Sequence, residues 1–183
     1  HSIILSPDKK SIYLISGNHT DVPPMDAYRL PKNWQEDNIF PLIKDPRGHA
    51  NDRYAPGGWI ANIDPEGKKW ELISAGYRNA FDIAFNETGD LFVYDADMEW
   101  DFGLPWYRPT RICHVTSGSE YGWRTGNSKW STTYPDNLPP VLNIGQGSPT
   151  SLLSLRDAKF PAKYKKSLLA FDWTFGIGHI IKL

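Results

Sequence analysis

The chain has almost no cysteine, no long apolar run and no excess of either charge, and each shortage removes a class of function. Cys113 is the single cysteine, which rules out an internal disulfide and a multi-cysteine zinc site and reads as a small buried hydrophobe in a strand. No apolar stretch approaches the roughly 20 residues of a membrane-spanning helix. Twenty Lys and Arg against 21 Asp and Glu leave a formal net charge of −1. No overall field then draws phosphate backbones or anionic lipid, and nucleic acid is not an expected partner. His-Glu-X-X-His, Gly-X-Ser-X-Gly and P-loop patterns are missing, which sets aside zincins, serine hydrolases and P-loop enzymes. Gly145-Gln146-Gly147-Ser148 is followed by no helical pattern and reads as a turn. No signal peptide is visible, because His1 leads straight into a strand pattern, and the parent chain is expected to be longer at both ends.

What is present points to an all-β chain. Aromatics make up 14% of the residues, with eight Trp, 15 Gly and 15 Pro, a mixture that suits short strands joined by tight turns. Alternating or β-branched runs predict strands over 2–5, 11–16, 58–63, 70–75, 81–85, 91–94, 110–115, 151–155, 167–171 and 179–183. Turn residues at Pro7-Asp8-Lys9-Lys10, Asp64-Pro65-Glu66-Gly67 and Asn86-Glu87-Thr88-Gly89-Asp90 punctuate them as hairpins. Repeated antiparallel units with irregular loops fit a β-propeller, although a sandwich would give similar strands. Residues 23–56 break the rhythm. They read as a long loop insertion, about 24–57, with a short helix near Asn33 to Asp37, lying across one face of the sheets.

Two clusters can carry chemistry. Asp95, Asp97, Glu99 and Asp101 follow a strand at every second position, and four carboxylates so close call for a cation, for arginine partners or for full solvation, as in a solvated loop balanced by Arg108 and Arg111. Calcium, with its six to eight oxygen ligands, is the natural cation, although the spacing is not that of an EF-hand. The second cluster is Gly76-Tyr77-Arg78-Asn79-Ala80-Phe81-Asp82, between two strands. Its Arg fork and Asn amide suit the carboxylates and carbonyls of a planar ligand. His19 and His49 fall on loops, where an imidazole can serve as base or ligand, and His1 is a third candidate.

In order, the Arg78-Asn79 turn with its Phe81 strand, the acidic loop after Tyr94 and Tyr121-Gly122-Trp123 resemble the glucose/sorbosone dehydrogenase family of six-bladed propellers. Ser6-Pro7-Asp8, Gly17-Asn18-His19-Thr20 and Leu168 to Trp173 add to the likeness. Members of this family use pyrroloquinoline quinone (PQQ), and the planctomycete-type membrane-bound dehydrogenases, fused to a cytochrome c module, look closer still. The resemblance implies one partial propeller domain over 1–183. It further implies that Asn79 and Arg78 contact the quinone, that Asn18 is a polar contact beside them and Arg53 another cofactor-binding residue, and that loop 95–101 holds calcium largely through backbone oxygens. It also implies a His base, an alcohol or sugar substrate, a cytochrome acceptor and a periplasmic or exported location. His1 stands two or three residues too close to Pro7-Asp8 to match the family's base.

The expected function is therefore oxidation of a sugar or alcohol hydroxyl, or of an aldehyde, with a calcium-bound quinone as hydride acceptor. Two other readings stay open. One is a noncatalytic propeller that binds carbohydrate or protein through Trp100, Trp106, Trp123 and Trp130. The other is a calcium-dependent lactonase-type hydrolase.

Overall fold

A computed structural model describes residues 1–32, 34, 43–101, 103–125, 128–129 and 131–183. The expected helix near Asn33 to Asp37 falls largely outside them. Among the described residues, fifteen strands and one 3-10 turn (Ala162–Tyr164) follow one another: β1 (Ile3–Leu5), β2 (Ile12–Ser16), β3 (Ala27–Tyr28), β4 (Gly58–Ile63), β5 (Trp70–Tyr77), β6 (Asp82–Phe85), β7 (Leu91–Asp95), β8 (Thr110–Val115), β9 (Ser119–Glu120), β10 (Trp123–Arg124), β11 (Ser128–Lys129), β12 (Leu142–Gly145), β13 (Pro149–Ser154), β14 (Ser167–Asp172) and β15 (Ile177–Lys182).

Three antiparallel sheets succeed one another along the chain, in the orders β1-β2-β4-β5, β12-β8-β7-β6 and β13-β14-β15. β3 and β9 add parallel pairings to the free edge of β5. This is the up-and-down meander of propeller blades, and the chain is a partial propeller. Among the described residues no helix is long and apolar enough to cross a membrane.

The period of two along each strand builds the layers. Ile83, Val93 and Cys113 of the second sheet pack with Ile15, Ile60, Ile73 and Tyr77 of the first. Their neighbours Ala84, Phe92, Tyr94 and Ile112 point the other way, onto Leu152, Leu168, Ala170 and Ile181 of the third sheet. One sheet thus feeds two cores. On the far face of the first sheet, Trp59, Ala61, Ile63 and Leu72 are covered by Val22 and by Met25, Tyr28 and Leu30 of the insertion. As expected, then, the insertion lies across a sheet face.

Candidate functional site

The site is built where the first sheet hands the chain to the second. β5 ends at Tyr77 and β6 begins at Asp82; in the turn between them the Phe81 N–H donates to the Tyr94 carbonyl at 3.0 Å, while the amides of Arg78 and Asn79 need another acceptor. Gly76 makes that turn possible: its φ is +84°, and a Cβ there would strike the Glu120 carboxylate and the Tyr121 amide. The backbone N–H groups of Arg78 and Asn79 donate to Asp95 Oδ1 at 3.0 and 3.1 Å. Asp95 Oδ2 accepts from Arg111 Nε at 3.0 Å, with Nη2 at 2.9 Å.

Gly17, in the loop after β2, is the second close approach. A Cβ at this position would collide with Asn79 Oδ1 and the His1 ring, so the loop can lie flat against the turn. The Asn18 N–H donates to the Arg78 carbonyl at 2.9 Å. The Asn18 side chain is 3% exposed, and neither its Nδ2 nor its Oδ1 finds a partner. The same holds for Arg78 Nε and His49 Nε2. Unmet polar atoms at such burial are costly, and their concentration in one place marks a surface shaped for a polar ligand.

The histidines gather around this point from separate segments. His19 and His49 lie with ring centroids 5.2 Å apart. Burial lowers the pKa of His49 first, and the Arg78 and His19 charges add to it, so the imidazole stays neutral more readily than usual. His1 Nδ1 is 2.9 Å from the Ala80 carbonyl. That contact fixes Nδ1 as the donor and leaves Nε2 able to accept a proton. Arg53 pairs with Asp21 at 3.6 Å and Asp52 at 3.4 Å, and its carbonyl receives the Thr125 hydroxyl.

The four carboxylates of the acidic loop go to different partners. Asp95 is taken by the turn and Arg111. Asp101, 1% exposed, accepts from Arg108 Nε at 2.8 Å. Asp97 accepts from the Tyr107 hydroxyl at 2.8 Å, and burial, which outweighs that bond, raises its pKa. Exposed Glu99 lies 3.9 Å from Arg78 and 3.8 Å from Arg47, and the Arg47 guanidinium sits over Trp100. The insertion is strapped to the acidic loop in this way. Among the described residues no three His, Cys, Asp or Glu side chains gather as a metal ligand set. Arg111 and Arg108, which the sequence offered as balancing a solvated loop, are the partners found for the buried Asp95 and Asp101; Arg111 is buried with its acid and Arg108 is 43% exposed.

Sequence reasoning missed Gly17, whose small size is silent until the fold brings His1 and Asn79 to it, and Tyr107, twelve positions past a strand with no pattern to mark it. Trp123 is 1% exposed and so cannot serve as a ligand-facing platform; Trp106 is exposed, and Trp130 is outside the described residues. A cavity of about 20 Å³ adjoins His49, Asp45 and Trp100, room for about one water. Two larger clefts of about 300 and 320 Å³ open elsewhere, the second among Phe85, Leu91 and Val115 at the opposite ends of the strands.

Comparison with solved structures gives the same fold. The PQQ-bound form of aldose sugar dehydrogenase from Streptomyces coelicolor aligns over 99% of this chain and 44% of its own, with TM-score 0.62 and 17% identity. A protein described as an oxidoreductase of glucose dehydrogenase type from Thermus thermophilus aligns over 99% and 47%, with TM-score 0.62 and 18% identity. No family model and no curated protein matches the chain. The chain therefore has a glucose/sorbosone dehydrogenase-like propeller fold and spans less than half the length of these two structures.

Proposed function

We propose that the chain is part of a PQQ-dependent dehydrogenase propeller that oxidises a hydroxyl of a sugar or other alcohol. The observation that carries this reading is the convergence of Asn79 with Asn18 and Arg78, the latter two holding buried unmet polar atoms, beside His1, His19 and His49. A planar, polyanionic quinone with carbonyl and carboxylate oxygens fits that set: Arg78 offers a charged fork, and the two Asn amides offer both donor and acceptor. When bound, PQQ would supply the oxidant that accepts a hydride equivalent from the substrate carbon.

The protein's own groups do the rest. Arg78 and Asn79 orient the ring from a turn that cannot drift, and Asn18 closes one side. A neutral imidazole accepts the hydroxyl proton; His1, with Nδ1 committed to the Ala80 carbonyl, holds Nε2 open for it, and His49 is kept neutral by burial. Arg53, paired with Asp21 and Asp52, would be a further contact for the cofactor in this reading. Calcium fits less well. Asp95 and Asp101 are committed to arginines, leaving Asp97, Glu99 and backbone oxygens of the loop as ligands, and no step here depends on the ion. An exported location and a cytochrome acceptor belong to this reading too.

Calorimetric titration of the chain with PQQ, with and without calcium, tests it. Wild type should bind, and Asn79→Ala should weaken binding by about tenfold or more, the loss of a hydrogen bond to a charged group. Absence of any wild-type binding sinks the proposal.

A further inference from the structure

The buried carboxylate of Asp95 does something that ligand binding does not use. It stands at the end of β7 and is completely buried. One oxygen receives two successive backbone N–H groups, those of Arg78 and Asn79, and the other faces the Arg111 guanidinium. Arg111, 4% exposed, also donates to the Tyr121 carbonyl at 2.8 Å. The carbonyl of Arg78 in turn receives the Asn18 N–H. A single acid thus joins β7, β8, the turn after β5 and the loop after β2. Without it, two amides of a partly buried turn would lack an acceptor, and a charge-assisted acceptor holds them more firmly than a carbonyl would.

We propose that Asp95 is a positioning residue: its carboxylate fixes the Arg78-Asn79 turn, and through the Arg78 carbonyl the Asn18 backbone, in the orientation that presents all three side chains to the ligand. The identity of that ligand rests on the quinone reading, while the latch itself does not. Arg111 holds the acid in place, so its oxygens act as acceptors for the backbone and the guanidinium and are not offered to a bound metal.

Residue-resolved amide hydrogen exchange on the whole chain tests the latch, together with PQQ titration. Asp95→Ala leaves Arg111 buried without its partner and risks misfolding, so the neutral pair Asp95→Asn with Arg111→Gln is the second variant. In Asp95→Ala the amides of Arg78 and Asn79 should exchange about tenfold faster or more, and in the neutral pair, where an uncharged amide oxygen remains to accept them, by a smaller factor, while those of Leu168 and Ala170 in β14 keep their rates. The affinity for PQQ should fall by about tenfold with the Asn79 side chain intact. Unchanged exchange at Arg78 and Asn79 overturns the inference. Acceleration spread equally over β14 overturns it too, because that is loss of general stability. If the exchange result holds and wild type binds no PQQ, the quinone reading fails and the positioning role stands.

Discussion

Burial and the Arg78 charge both disfavour a charged His49, with Asp45 and Glu99 opposing them more weakly. A lowered folded pKa means that the unfolded chain binds the proton more readily. Stability from this group is therefore complete above the ordinary value of 6.5 and declines as pH falls below it. His49→Gln should flatten that decline, which urea midpoints at about pH 7.5 and about pH 5.5 would show; an identical slope in the variant would count against it. Two arginine pairs make the complementary point about solvent. Arg29 lies 2.8 Å from Glu71 and Arg111 lies 2.9 Å from Asp95, yet the first pair is 44% and 31% exposed and the second 5% and 0%. Arg111→Ala should cost about 3–5 kcal/mol because it strands a buried carboxylate, while Arg29→Ala should cost about 1 kcal/mol or less. Equal shifts in the denaturation midpoint would contradict that ranking. At this scale the sequence was partly readable: the Arg-Asn turn and the acidic run stood out by residue type. The bonds between them span 17 and 16 positions of chain, and no local pattern encodes a contact at that distance.

Strands with a clean period of two were legible almost to the residue, as 58–63 and 110–115 show against Gly58–Ile63 and Thr110–Val115. The others shift at their ends. β5 runs to Tyr77 because Gly76, at φ +84°, forms a bulge past which Tyr77 still pairs with Gly58. β3, β9, β10 and β11 are two residues each, too short to show a period; β3 and β9 exist because β5 accepts them, and β10 and β11 pair with each other. β12 was missed for another reason: Leu142 and Asn143 are exposed, so its burial does not alternate. Between elements, Asp82 holds the third sheet to the second by accepting the Leu152 N–H at 2.8 Å. Asp82→Ala leaves that amide without its partner, at about 1–3 kcal/mol. Hydrogen exchange should then quicken in β13 before β7, and the reverse order would show that the tie is not what joins these sheets.

Across the whole molecule the three sheets have unlike ends. The insertion covers the outer face of the first, whereas on the third Leu153, Phe171 and Ile180 stand 37%, 40% and 40% exposed on the face turned away from the core. Register puts Leu153 and Ile180 on either side of Leu169, with Phe171 two residues further along β14, so the exposed side chains form one patch. The sequence could not say which end the insertion would close, since covering depends on where the loop folds back. Phe171→Asp should abolish dye binding to exposed apolar surface and lower any concentration-dependent sedimentation, while wild type retains both. Cover on one face and none on the other leaves the apolar patch of β13 to β15 open, so an apolar dye should settle there rather than on the covered face of β4 and β5.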